Sequence, residues 1–173
     1  MKTKNPISIF IVDDDKIFST ALENDIQDVF VSKNIQTRKF EVAETCLIEF
    51  KKHVPDIVIL DYHLNSKYSD AMNGLEMLKK IKKAAPETDV IMLTREDKVD
   101  LAMNLLHHGA SDYVLKSETV FRKINYSLLN SLRMKALRTE NKTYKNLTLS
   151  LIISLAFLFG VFLTLQMTHS SIF

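Results

Sequence analysis

The chain has 173 residues and a formal net charge of +2, so its composition gives no general case for nucleic-acid binding. One cysteine, Cys46, excludes an intrachain disulfide and suits a reducing compartment. The first apolar stretch has six residues and ends in three aspartates, which argues against a secretory signal peptide.

Strand and helix patterns alternate along the first two thirds of the chain. Short apolar runs predict five strands: 7–12, 35–42, 57–61, 90–94 and 113–115. Stretches with apolar residues at helical spacing predict five helices: 16–31, 44–53, 74–85, 98–108 and a fifth from about residue 118. Asp15 is placed to cap the first helix, and Gly109 to end the fourth. The alternation predicts an α/β domain with a parallel sheet covered by helices on both faces.

Four of the predicted strands end in residues that can handle a phosphoryl group or a metal ion. Asp13 and Asp14 follow the first strand and Asp61 closes the third, while Thr94 closes the fourth and Lys116 follows the fifth. Because ligands of open parallel sheets bind beyond the carboxyl ends of the strands, we expect these side chains to form one site.

This order of residues resembles the receiver domain of two-component response regulators, over roughly residues 5–125. The resemblance implies a flavodoxin-like, doubly wound sheet of five parallel strands in the order 2-1-3-4-5, with five helices. It also implies phosphorelay signalling, in which a sensor histidine kinase or a phosphotransfer protein donates the phosphoryl group. The expected protein is therefore a phosphoacceptor that signals and not an enzyme acting on a separate substrate.

The resemblance assigns a role to each residue of the site. Asp61 is the expected phosphoacceptor, and Mg²⁺ is the expected cofactor. Asp14 and Asp61 would bind the metal directly and Asp13 through water, with the backbone carbonyl of His63 as a further ligand. Lys116 is expected to contact the phosphoryl oxygens.

A second group of residues is expected to report phosphorylation. The Thr94 hydroxyl would be drawn toward the phosphoryl group, and the Tyr113 ring would rotate into the space that opens. Alternatively, Tyr113 is a half-buried tyrosine of the strand without a role in switching. His63 and Glu96 flank the site, where they are candidates for setting the lifetime of the phosphoryl group.

Two departures from the family pattern affect the site. Ser117 follows Lys116 where proline is usual, and a cis bond before a residue other than proline costs about 3–4 kcal/mol. A trans bond, with the lysine displaced, is therefore expected. Arg95 follows Thr94 where a small residue is common, and it would either obstruct the phosphate or bind it.

The last part of the chain has a different composition. Residues 147–167 carry no charge, and a helix of that length spans about 31 Å, close to the ~30 Å hydrocarbon core of a bilayer. This range predicts one transmembrane helix, preceded by an extended fifth helix and basic juxtamembrane segment at 126–146. The tail at 168–173 has no Lys or Arg, so the positive-inside rule predicts a single-pass inner-membrane protein with the receiver in the cytoplasm.

The residues are also compatible with other interpretations. A pseudo-receiver scaffold that is never phosphorylated would keep Asp61 and Lys116 as an ion pair. A haloacid dehalogenase-type phosphatase would use Asp13 as its nucleophile, but the basic fifth helix lacks the further acidic pair such enzymes need. A homodimer is also a candidate assembly, because Ala156, Gly160 and Thr164 share one face of the predicted span.

Overall fold

The computed structural model describes the backbone of residues 6–64 and 72–170. Side chains at 139, 141–143, 146, 159 and 161–170 lie outside the described part. The strands are β1 (Ile7–Val12), β2 (Ile35–Phe40), β3 (Ile57–Asp61), β4 (Asp89–Thr94) and β5 (Asp112–Leu115). The helices are α1 (Lys16–Val29), α2 (Ala43–Lys52), α3 (Gly74–Ala84), α4 (Val99–His107) and α5 (Val120–Ser170).

The five strands form one parallel sheet in the order β2-β1-β3-β4-β5. This confirms the predicted flavodoxin-like architecture. β3 lies at the centre, paired with β1 on one side and β4 on the other. Every residue of β3 is buried, which explains why its sequence is a continuous apolar run and not an alternating pattern.

Helices cover both faces of the sheet. Alternate strand residues such as Phe10, Val58 and Met92 belong to one core cluster, together with buried residues of α2, α3 and α4. The intervening residues, such as Ile11 and Ile59, are equally buried, as are the inward positions of α1 and α5. Side chains of successive strand residues point to opposite faces, so both faces carry a core.

Capping residues set several helix ends as predicted. The Asp15 carboxylate caps α1 by accepting hydrogen bonds from the N–H groups of Ile17 and Phe18, both at 3.0 Å. Gly109 follows α4 with a φ of 95°, a conformation that favours glycine. α5 begins at Val120, slightly later than predicted, after a turn closed by its N–H and the Ser117 carbonyl at 3.0 Å.

The chain divides into two compact units, residues 1–131 and 132–173. Among the residues that the structure describes, we find no helix that is both long enough and apolar enough to cross a membrane. Side chains at 159 and 161–167 of the predicted span, and all side chains of the predicted tail at 168–173, lie outside the described part. The structure does not support the anchor, which stays a prediction.

Candidate functional site

Three aspartates meet at the carboxyl edge of the sheet. Val12 of β1 lies opposite Leu60 of β3, so the next residues, Asp13 and Asp61, are neighbours at the strand ends. Asp13, Asp14 and Asp61 are all buried, and one carboxylate oxygen from each lies within 4.8 Å of the others. The structure thus brings together the acidic residues that the sequence places at separate strand ends.

Lys116 completes this cluster from the end of β5. Its ammonium donates to Asp13 Oδ2 at 2.6 Å and to Asp61 Oδ2 at 2.8 Å. No cis peptide bond occurs among the described residues, so the bond to Ser117 is trans. The expected displacement of the lysine is wrong, because its N–H is held by the Thr94 carbonyl at 2.7 Å and its side chain reaches both carboxylates.

The cluster has more negative than positive charge. Burial, with the nearby charge of Asp61, raises the pKa of Asp13 to about 6, although Lys116 opposes this shift. Asp61 Oδ1 is buried and has no hydrogen-bond partner. Mg²⁺ prefers carboxylate oxygens and brings two positive charges, so these residues fit the ion in both donor type and charge.

Thr94 and Tyr113 both contact the backbone of Glu96. Thr94 is fully buried, and its Oγ1 accepts from the Glu96 N–H at 3.1 Å. The Tyr113 hydroxyl donates to the Glu96 carbonyl, and its ring is half-buried. The peptide groups of one residue therefore connect the two predicted switch residues, a link that their sequence separation does not reveal.

The Glu96 side chain lies beside the loop that follows β3. Its carboxylate pairs with His63 Nε2 at 3.2 Å and with the Lys98 ammonium. The hydrogen bond from Lys98, helped by the charge of His63, lowers the pKa of Glu96. The predicted flanking residues are thus paired with each other, while metal binding by the His63 carbonyl stays a prediction.

Arg95 lies directly after Thr94, the last residue of β4. Its side chain is exposed, and its charge contributes to the lowered pKa of Asp15, for which the Phe18 N–H is the largest cause. Its obstruction or binding of a phosphate stays a prediction.

Two residues of the site are not evident from the sequence. The Phe18 ring lies against Lys116, with the ammonium 4.6 Å from the ring centroid. Gly74, at the start of α3, packs so closely on β3 that an added Cβ would lie 2.2 Å from the Asp61 carbonyl oxygen. The sequence presents Phe18 as an apolar helix position and Gly74 as a helix start, and only the folded chain gives them a relation to the site.

A groove of about 660 Å³ lies between β5 and the start of α5. Tyr113 lines it together with the basic Arg122 and Lys123 and the acidic Asp97 and Asp112. Tyr113, whose ring is expected to rotate when the site is phosphorylated, therefore forms part of the wall of this groove.

The comparison with known families agrees with this geometry. Residues 9–124 match the model of the response regulator receiver domain. The chain belongs to the response regulator receiver domain family. Members of this family act in phosphorelay signalling with histidine kinases or phosphotransfer proteins, and they bind Mg²⁺ at an acidic pocket such as the one formed here.

Two curated relatives show how far the similarity extends. The DNA-binding transcriptional regulator NtrC of Proteus hauseri is 31% identical over 63% of this chain and 21% of its own length. The nitrogen assimilation regulatory protein NtrX of Azorhizobium caulinodans is 30% identical over 81% of this chain and 29% of its own length. The chain thus spans less than a third of either relative.

Solved structures show the same fold. The receiver domain of NtrX from Brucella abortus superposes with a TM-score of 0.62 at 26% identity, covering 72% of this chain and 98% of that domain. The receiver domain of a putative LuxO repressor from Vibrio parahaemolyticus gives a TM-score of 0.67 at 22% identity, covering 77% and 95%.

Proposed function

We propose that this receiver accepts a phosphoryl group on Asp61 from a sensor histidine kinase or a phosphotransfer protein. One observation carries the proposal. The Lys116 ammonium holds one oxygen of Asp61, while the other oxygen, Oδ1, is buried without a hydrogen-bond partner. Such a carboxylate is oriented and has a lone pair available for attack.

The residues present account for the transfer step. An oxygen of Asp61 attacks phosphorus, and the bond from phosphorus to the donor nitrogen breaks, so that an aspartyl phosphate forms. The Lys116 ammonium can stabilise the negative charge that moves onto the phosphoryl oxygens during the transfer. Mg²⁺, held by Asp13, Asp14 and Asp61, would supply further charge neutralisation when bound.

The output of this receiver is a contact with another protein. We expect Thr94 to turn its hydroxyl toward the phosphoryl group, which changes its bond to the Glu96 N–H. Tyr113 then loses or moves its bond to the carbonyl of the same residue, and the groove beside β5 changes shape. We therefore expect a phosphoacceptor signalling protein and not an enzyme with a separate substrate.

Mapping the phosphorylated residue tests this proposal against its alternatives. The full-length protein is treated with a small phosphodonor and Mg²⁺, and the modified residue is identified by mass spectrometry after reduction of the acyl phosphate. Label on Asp61 supports the receiver. Label on Asp13 would indicate the phosphatase-type enzyme, and an unlabelled chain would indicate the pseudo-receiver scaffold.

We further propose that residues 147–167 tether the receiver to the inner membrane, with the receiver in the cytoplasm. The proposal rests on twenty-one consecutive uncharged residues and on the basic residues within 126–146. The protein should stay in the membrane fraction after high-salt and alkaline washes. Release of the protein by salt alone would show that it is attached to the membrane only by electrostatic contacts.

A homodimer paired along the same span is the third part of the proposal. Its support is the spacing of Ala156, Gly160 and Thr164, which places small residues on one helix face. In a Cys46→Ser background, Gly160→Cys should cross-link more strongly than Phe162→Cys on the other face. Equal cross-linking would remove the case for a dimer along this face.

A further inference from the structure

The ammonium of Lys116 has an unusual environment for a charged group. Two carboxylates bind it, and the ring of Phe18 lies 4.6 Å away, measured to the ring centroid. Only 8% of the lysine side chain is exposed. We propose that Phe18 is a positioning residue that holds Lys116 over the acceptor aspartate by a cation–π contact, an inference that rests on the proposed function of the site.

Besides the two carboxylates, the aromatic contact is a further constraint on the lysine side chain. Lysine is a compact charge on a flexible four-carbon stem, and it has no planar group to lock its direction. Its backbone is tied to the neighbouring strand by the bond from its N–H to the Thr94 carbonyl. The next residue is Ser117, whose backbone is not restricted by a proline ring.

Phe18 is well held itself. Its N–H donates to the capping carboxylate of Asp15 at 3.0 Å, which fixes the first turn of α1. Its ring also packs against Phe121 at the start of α5, with centroids 5.5 Å apart and planes inclined by 50°. The position of the ring is therefore fixed by α1 and by its contact with α5, so the ring can limit the movement of the Lys116 ammonium.

The contact has two consequences for phosphoryl transfer. The face of the ring attracts the cation and keeps its position with less loss of entropy during the reaction. The ring also excludes water, which strengthens the attraction between the ammonium and the incoming phosphoryl oxygens. The ring does not touch the reacting atoms, and it affects the reaction only through the position of Lys116.

Substitutions at Phe18 separate the aromatic face from simple bulk. In the full-length protein with acetyl phosphate and Mg²⁺, Phe18→Leu should slow phosphorylation by about three- to tenfold, whereas Phe18→Tyr should stay within about twofold. Phe50→Leu makes the same change in the core cluster on α2 and should lower stability without slowing phosphorylation. Equal rates in Phe18→Leu and the wild type would overturn the proposal.

A double-mutant cycle tests whether the ring acts through the lysine. In a Lys116→Ala background, Phe18→Leu should change the remaining rate by less than about twofold, because the cation is gone. The same loss in both backgrounds would overturn the proposal, since the ring would then support the fold and not the lysine.

A spectroscopic measurement reports the contact without phosphorylation. With labelled lysine, the ε-methylene protons of Lys116 should be shifted upfield by the ring in the wild type and in Phe18→Tyr. The shift should disappear in Phe18→Leu, and the signal is identified by its absence in Lys116→Ala. An unshifted wild-type signal would refute the contact even if Asp61 is phosphorylated, whereas a shifted signal in a chain that takes no phosphoryl group would refute only the proposed function.

Discussion

Aspartates close both edges of the sheet, but their surroundings differ. At the amino edge, Asp56 accepts from the Ser8 N–H at 2.9 Å, and Asp89 accepts from the Ser111 hydroxyl at 3.1 Å. At the carboxyl edge, three buried aspartates lie together, and Lys116 binds two of them. The acids of the amino edge accept hydrogen bonds from serines of neighbouring segments, whereas the carboxyl edge concentrates negative charge.

The lysines of the two edges differ in the same way. Lys82 donates to the carbonyls of Pro86 at 3.1 Å and Thr88 at 2.7 Å, which closes the turn after α3. Lys116 instead binds carboxylates that carry the proposed chemistry. Buried charge is costly unless it is compensated, so the excess negative charge at the carboxyl edge suits the binding of a divalent cation.

The largest expected effect comes from replacing one aspartate at each edge of the sheet by asparagine. Asp61→Asn should abolish phosphorylation, because an amide cannot form the acyl phosphate. Asp89→Asn changes a buried strand aspartate of the other edge and should lower stability while phosphorylation continues. Phosphoprotein yield and thermal unfolding, measured on both variants, distinguish the two edges. Phosphorylation of Asp61→Asn at the wild-type level would erase the distinction.

The close approach of α3 to the nucleophile gives the next effect. Gly74→Ala places a methyl group 2.2 Å from the Asp61 carbonyl oxygen, so the strand end must move. We expect a loss of about 3 kcal/mol in the free energy of unfolding and slower phosphorylation. Urea unfolding of Gly74→Ala at wild-type stability would contradict this packing.

The charge excess should make stability depend on pH. The pKa of Asp13 is raised from 3.8 to about 6 in the folded state, so folding favours its protonated form. This contribution is complete below about pH 4 and is lost as the pH rises past about 6.

Asp13→Asn, which resembles the protonated acid, should therefore be more stable than the wild type by about 3 kcal/mol at about pH 8 without Mg²⁺. The difference should vanish near about pH 4, as measured by urea unfolding in a chelator. A constant difference across this range would show that charge is not the cause.

The smallest effect concerns the lysine of the amino edge. Lys82→Met keeps most of the apolar stem and removes two bonds to carbonyls, so we expect a loss of about 1–2 kcal/mol in the free energy of unfolding. Phosphorylation should stay within about twofold of the wild type. Slower phosphorylation in this variant would mean that the two edges are coupled.

The sequence allowed the fold and the acidic site to be predicted for related physical reasons. A strand buried on both faces needs a continuous apolar run, so Ile57–Leu60 identified the central strand directly. Parallel strands end on one edge, so residues at four strand ends had to meet. The order of the strands came from the family resemblance and not from the patterns themselves.

Contacts that depend on packing were not predictable in this way. Ser117 suggested a displaced lysine, but the Thr94 carbonyl and two carboxylates hold Lys116 in place. The position of the Phe18 ring depends on how α1 and α5 pack. The backbone of Glu96 joins Thr94 to Tyr113 only once the loop after β4 has folded.

The most direct test of the account is binding of beryllofluoride, a phosphoryl mimic, to the full-length protein. If the carboxyl edge is a metal-assisted acceptor site, the wild type should bind the mimic only when Mg²⁺ is present, and Asp61→Asn should not bind it at all. Equal binding to the wild type and to Asp61→Asn, or binding that ignores Mg²⁺, would contradict the central claim.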